Sequence, residues 1–328
     1  MRALQIVELE GPSSLKLVDV PEPEPVHMLA PDGAVVVDVE VAGVSFPEVL
    51  QSRGQYQLKP PLPFVPGAEV GGVVRSAPDG ANVAPGDRVA ALCMLGGFAE
   101  VAVAPPWLTF KLPDSLDFAQ GAALVLNYHT AWFCLKLRGR LTEGETVLVH
   151  GAAGGVGTAS LQVAKGIGAR TIAVVSSDDK EQVAREAGAD EVLRSDGPWK
   201  DQAKELSGGG VDMVLDPVGG DRFTDSLRSL GEGGRVVVVG FTGGSIPEVK
   251  VNRLLLNNTE VIGAGWGAYV MSKPELNQEI GTEIDALIES GHVRPLIGAR
   301  YPLERGGEAL ELIDGRGATG KVVLDVGA

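Results

Sequence analysis

The chemistry most directly legible in the chain sits in Gly151-Ala152-Ala153-Gly154-Gly155-Val156-Gly157. Glycines at this density let a backbone turn tightly and come within contact distance of a ligand. Ahead of them, Thr146 to His150 is a short run of β-branched and aliphatic residues, the composition of a strand buried on both faces. Behind them, Val156, Val163 and Ile167 recur at helical spacing. Strand, glycine turn and helix form an anion site, because unbonded amides and the positive end of the helix dipole meet at the turn. Gly154, Gly155 and Val156 are therefore expected to lie on a pyrophosphate. A second strand, Thr171 to Ser176, follows about twenty residues on, the spacing of a dinucleotide fingerprint.

An NAD site carries Asp or Glu at the end of that second strand to bond the ribose 2′-hydroxyl. Here the end reads Val174-Val175-Ser176-Ser177, with Val175 at the acid's place, so a 2′-phosphate is admitted. Asp178 and Asp179 are expected to cap and charge the start of the next helix. Cys93 and Cys134, far apart in apolar surroundings, read as buried free thiols. His129 and His150 read as structural hydrogen-bonding groups, with His129 also near enough to Thr130 to join a proton path.

These residues need two kinds of scaffold. From Glu145 the pattern alternates strand and helix: strands at Thr146 to His150, Thr171 to Ser176, Glu191 to Leu193, Val211 to Asp216, Arg235 to Phe241 and Glu260 to Ala264. Helical segments lie near Lys180 to Ala187, Trp199 to Leu206 and Asp221 to Leu230, which predicts an α/β, doubly wound Rossmann sheet. Residues 1–122 carry short strand candidates, Leu15 to Val20, Ala34 to Val44, Val70 to Val74, Asp87 to Leu92 and Ala99 to Val103, between Pro, Gly and Asp turns, as in a compact, partly closed barrel. Ala122 to Leu137 turns helical. After Trp266 one helix, Glu275 to Ser290, precedes strand-like pieces ending in Lys321 to Val326, and this tail is expected to return to the first domain. The predicted division is 1–122 for the substrate barrel, 123–261 for the cofactor domain and 262–328 for the return.

The formal charge of -15 opposes general affinity for nucleic acid or an anionic membrane. No apolar run is long enough to span a bilayer, and Met1 to Gln5 lacks a signal-peptide core, so the expected location is cytoplasmic.

Several motifs in order resemble the zinc-independent branch of the medium-chain dehydrogenase/reductase superfamily, and within it the zeta-crystallin type of NADPH:quinone oxidoreductase. They are Gly43-Val44-Ser45-Phe46-Pro47-Glu48 with Arg53-Gly54-Gln55-Tyr56, then Pro66-Gly67-Ala68-Glu69-Val70-Gly71-Gly72, Gly86-Asp87-Arg88-Val89, Thr130-Ala131-Trp132, the glycine turn, and Ala318-Thr319-Gly320-Lys321-Val322-Val323. The resemblance implies a GroES-like barrel beside the Rossmann domain. Zinc-using relatives place Cys at Ser45, His at Ala68 and a third ligand near Leu126, and hold a second zinc with four cysteines. This chain has none of these and two cysteines in all, which implies no metal.

The same resemblance implies NADPH as cofactor, with Lys180 against the 2′-phosphate beside Ser176, and Arg194 as a second cation. It places Thr130 near the nicotinamide ribose, and the loops holding Gly240, Phe241 and Thr242 and Asp216 to Gly220 along the nicotinamide groove, between the domains. Ser45 stands where most such enzymes have Asn, Glu48 replaces Asp, and Tyr56 matches a Tyr at the substrate cleft. The expected catalytic residues are Tyr56 and Ser45, the expected substrate a small quinone. Two alternatives stay open: reduction of enones, alkenals or enoyl thioesters, and an NADPH-binding or redox-sensing protein with little turnover. A homodimer is expected through the last strand, Val261 to Ala264.

Overall fold

The computed structural model describes residues 1–327. Its strands run β1 Arg2–Ile6, β2 Leu15–Asp19, β3 Val35–Val44, β4 Glu69–Ser76, β5 Arg88–Leu92, β6 Val101–Ala104 and β7 Thr109–Lys111. There follow β8 Thr146–His150, β9 Arg170–Val175, β10 Glu191–Arg194, β11 Val211–Asp216, β12 Leu230–Val238 and β13 Glu260–Gly263, then β14 Ile297–Pro302 and β15 Lys321–Asp325. Two compact units share them: Met1–Asn127 with Met271–Gly281 and Pro295–Ala328, and Tyr128–Val270 with Thr282–Arg294.

In the first unit the sheet order is β14-β15-β3-β4-β5-β7, with β6 also on β3. β3 is central because it is the most β-branched stretch. Val37, Val39 and Val41 are buried while Asp38 and Glu40 are partly exposed, a period of two at the middle of a strand otherwise buried on both faces. Each fully buried valine or leucine of this core, such as Val37, Val70, Val89 and Leu324, contributes roughly 1.5–3 kcal/mol. Antiparallel pairing sets Gly43 opposite Glu69 on one side and opposite Val323 on the other.

The second unit is a parallel sheet in the order β10-β9-β8-β11-β12-β13. The order reverses between β8 and β11, and a ligand crevice belongs beyond the carboxyl ends of strands at such a point. Leu148, Ile172, Val174, Val214 and Val236 form the buried centre with Trp199 and Phe223 from the covering helices. Among the described residues, no helix is long and apolar enough to cross a membrane.

Five expectations shift. The return to the first unit is not continuous from 262. Residues 262–270 and 282–294 stay with the parallel sheet, because the Trp266 ring packs edge-on to His129, a Cβ on Gly166 would strike Leu287, and Gln162 bonds both the amide and the carbonyl of Arg294. Residues 123–127 stay with the first unit, where the Leu126 amide is held by Glu69. β12 ends at Val238, not Phe241, so Gly240 and Phe241 lie in a loop tied to the one after β11 by Thr242 N to Pro217 O and Gly243 N to Val218 O. A helix, Gly306–Asp314, occupies part of the tail expected to be strand-like. Its opening Gly306-Gly307 reads as a turn, yet Gly306 is small because Leu4 lies where its Cβ would be, while Ala309 and Leu310 are buried. The helical run predicted over Ala122 to Leu137 is broken into π turns at Val125–His129 and Phe133–Arg138, a distortion that recurs at functional sites.

Candidate functional site

The strand, glycine turn and helix of the second unit have the predicted form. β8 delivers the chain to Gly151, whose φ of 58° is left-handed, and the helix Gly155–Ile167 begins after Gly154. The first amides of that helix, on Gly155, Val156 and Gly157, have no carbonyl one turn earlier to bond. A Cβ built on Gly154 would meet only Gly151 O, at 3.5 Å, so the space above the turn is open to a ligand. Gly157 does another job: its Cβ would lie 2.2 Å from Gly151 O, so glycine there lets helix and turn pack.

At the end of β9 three predicted residues meet. Lys180 Nζ donates to Ser176 Oγ at 3.3 Å, and Arg194 Nη2 donates to Ser176 O at 2.9 Å. Val175 ends the strand, leaving no carboxylate in the ribose position. Asp178 does not face this cluster unpaired; its carboxylate is engaged by the Arg194 guanidinium. Ser177, rather than either aspartate, takes the N-cap position of the helix, while Asp178 and Asp179 charge its first turn. Thr130 is buried at the start of its own short helix, and Gly240, Phe241 and Thr242 line the loop after β12, with Phe241 exposed.

In the first unit Ser45 comes with partners that sequence reasoning did not assign. Ser45 follows β3 at the start of the helix Phe46–Ser52, and its amide donates to Glu48 Oε2 at 2.9 Å. Glu48 Oε1 accepts from the Ala68 amide at 2.9 Å. Glu69 Oε2 accepts from the Leu126 amide at 2.9 Å, and its other oxygen is paired with Lys321 Nζ. Lys321 Nζ also donates to Ser45 Oγ at 2.7 Å. Glu48, Glu69 and Lys321 are 1%, 0% and 3% exposed, whereas Ser45 and Tyr56 are partly open. Two glutamates and a lysine thus tie together Ser45, Ala68 and Leu126, the places where zinc-using relatives carry ligands. No thiolate or imidazole stands there, and among the described residues no three His, Cys, Asp or Glu side chains converge as a metal site. These residues do not fit a zinc ion.

Burial raises the Glu48 carboxyl to about 7, against an opposing pull from Lys321. The Tyr56 phenol is raised by burial and by the negative charge of Glu48, which keeps it protonated at neutral pH. Cys93 and Cys134 are free and buried, and burial raises both thiols well above their ordinary range. His129 and His150 are lowered to about 3 by burial and stay neutral; His150 Nε2 bonds Ser226 Oγ at 2.8 Å, a structural role.

Residues 31–114 match the alcohol dehydrogenase GroES-like domain and residues 155–282 the zinc-binding dehydrogenase domain. The mouse quinone oxidoreductase-like protein 2 is 38% identical over 99% of this chain and 92% of its own length. The chain belongs to the quinone oxidoreductase family of the medium-chain dehydrogenase/reductase superfamily. Among solved structures, a probable oxidoreductase from Mycobacterium abscessus is similar at 43% identity and a TM-score of 0.88, over 99% of this chain and 98% of that one. A mycobacterial protein solved in complex with NADPH is similar at 34% identity and a TM-score of 0.90, over 99% of both chains. The family fold of GroES-like domain and parallel Rossmann sheet accounts for both units of this quinone oxidoreductase relative.

Glu69 and Lys321 had a signal in the sequence. Each is a lone charge leading an apolar strand, Val70-Gly71-Gly72-Val73-Val74 and Val322-Val323-Leu324, and opposite charges on buried strands must pair. Which strands adjoin is not written in either segment.

Proposed function

We propose that the chain is a metal-free NADPH-dependent oxidoreductase that reduces small quinones. One observation carries the cofactor half: Lys180 and Arg194 converge on Ser176 at the end of β9, where an NAD site needs an acid and this chain has Val175. The open space over Gly154 and the amides of Gly155 to Gly157 fit a pyrophosphate, and the two cations fit a 2′-phosphate. Bound there, NADPH supplies a hydride, that is, the electron pair of the reduction. The relative named above carries quinone oxidoreductase in its name, which supports the acceptor class.

The chain's own work is to bind, orient and donate. Thr130 and the loop Gly240 to Thr242 contact the nicotinamide end. Ser45 and Tyr56 hold an acceptor oxygen with two neutral hydroxyls, and Tyr56 stays protonated because burial and Glu48 oppose its ionisation. The catalytic gain comes from position and exclusion of water rather than from one strong acid. A donor pair of this kind suits the oxygen of an enone as well as of a quinone, so the two acceptor classes share one site. The unit of Met1–Asn127, Met271–Gly281 and Pro295–Ala328 serves the substrate and the parallel sheet serves the cofactor. The free thiols suit a cytoplasmic protein. A homodimer forms through the edge strand β13; just before it in the chain, Val251, Leu255 and Leu256 are 73%, 77% and 74% exposed.

The test is NADPH oxidation against a panel of small quinones and enones, compared by kcat/KM with chelators present. Turnover of quinones that chelation leaves unchanged is expected. Stoichiometric zinc with activity lost on chelation overturns the metal-free reading, and a higher kcat/KM across the enones moves the substrate to that class.

A further inference from the structure

We infer that Lys321 is a positioning residue that turns Ser45 into an obligate hydrogen-bond donor toward the acceptor's oxygen, an inference that rests on the reductase reading above. The argument begins with hydrogen-bond capacity. An ammonium has three donors and no acceptor, whereas a serine hydroxyl has one donor and two acceptor lone pairs. Lys321 Nζ lies 2.7 Å from Ser45 Oγ, so Ser45 must be the acceptor of that bond and its own proton points elsewhere. The ammonium cannot turn away to be replaced by water, because it is 3% exposed and anchored on the fully buried Glu69 carboxylate. Glu69 is itself fixed by the Leu126 amide at 2.9 Å. The result is a directed chain: Glu69 accepts from Lys321, Lys321 donates to Ser45, and the partly exposed Ser45 hydroxyl donates outward.

Polarisation adds to direction. A hydroxyl that accepts from a cation is a stronger donor, since the bonds of a chain reinforce one another at low dielectric. An acceptor that takes a hydride gains negative charge on its oxygen, and a preorganised donor aimed at that charge lowers the barrier. The balance of the step is acceptor plus NADPH plus one proton giving reduced acceptor plus NADP+, the proton coming from water once the hydride has moved. Lys321 acts through position and passes no proton to the acceptor. The backbone is built for the pair: a Cβ on Gly43 would lie 2.8 Å from both Glu69 Cγ and Lys321 Cε, so the glycine leaves the lane through which the lysine crosses β3.

The experiment is a mutant cycle with quinone as acceptor. Ser45→Ala removes the hydroxyl, and Ser45→Thr restores it. Lys321→Met with Glu69→Gln removes both charges together, so no carboxylate is left buried alone. Ser45→Ala is expected to lower kcat roughly 10- to 100-fold with NADPH affinity unchanged by fluorescence titration, and Ser45→Thr to recover most of it. The neutral pair is expected to lower kcat similarly, yet to cost less than about threefold when Ser45 is already alanine, because the lysine acts through that hydroxyl. Losses that multiply assign Lys321 a structural role and overturn the inference, as does wild-type kcat in Ser45→Ala. Should the neutral pair fail to fold, Ser45→Ala and Ser45→Thr still decide, since equal kcat in the two excludes a donated hydroxyl. A wild-type protein that oxidises no NADPH with any acceptor overturns the reductase reading itself.

Discussion

Lys321 and Ser45 face one another across two antiparallel strands: β15 pairs Val322 with Val44 and Val323 with Gly43, so the next step of the register sets Lys321 against Ser45. The 2.7 Å bond between them is therefore a product of strand register and not of a flexible side chain finding a partner. Because Glu69 is the register partner of Gly43 on the other side, the lysine must pass over Gly43 to reach it.

Gly43→Ala should consequently be among the more damaging single-methyl changes in the chain. The added Cβ would lie 2.1 Å from Ala122 O, a backbone atom, as well as against Glu69 and Lys321. Overpacking of this kind costs typically about 1–3 kcal/mol. A Tm lowered by several degrees, measured by calorimetry, is expected; an unchanged Tm would show that β3 and the segment at Ala122 separate freely.

Cofactor preference should rest on Lys180 and Arg194. Replacing either by alanine is expected to weaken NADPH roughly tenfold while NADH affinity stays within about twofold, since charge-assisted bonds to the 2′-phosphate are worth about 1.5–3 kcal/mol and Lys180 is partly solvated. Fluorescence titration with both cofactors measures it. Equal weakening of the two would assign these cations to the fold of the loop.

Glu48 makes stability depend on pH in a particular direction. Its carboxyl is raised from the ordinary 4.5 to about 7 by burial, so between those values the folded state holds a proton that the unfolded state releases. Its favourable contribution is complete below about 4.5, declines as pH rises through about 7, and is gone above, up to roughly 3 kcal/mol in all. Lys321, Tyr56 and the Cys93 thiol are the charged and titratable groups that interact with it. Denaturant unfolding from pH 5 to 8 should show a steeper decline in the wild type than in Glu48→Gln; parallel curves would mean that Glu48 stays ionised throughout.

Sedimentation should give twice the 34.1 kDa chain mass. A lysine at Val261, on the edge strand and 36% exposed, is expected to shift the protein toward monomer with little loss of fold. A wild-type monomer at micromolar concentration would reject the edge pairing.

Much of this protein was determined by local sequence. The glycine turn, the six strands of the parallel sheet and the vacancy of an acid at Val175 depend on residues within a few positions of one another, where backbone freedom and hydrophobic period act directly. Helix Trp199–Leu206 and strands β8 and β11 keep their predicted bounds for that reason. Ser45 and Tyr56 stood out by motif, but their surroundings did not. Only the tertiary structure decided that Lys321, 276 residues from Ser45 and 252 from Glu69, joins Ser45 to Glu69. The physical reason is that a buried charge is stabilised by whichever opposite charge the strand register brings alongside, and register is set by the packing of whole sheets. The same holds for Thr282–Arg294, where Gln162 and Gly166, more than a hundred residues earlier, retain a segment that sequence order alone would return to the first unit.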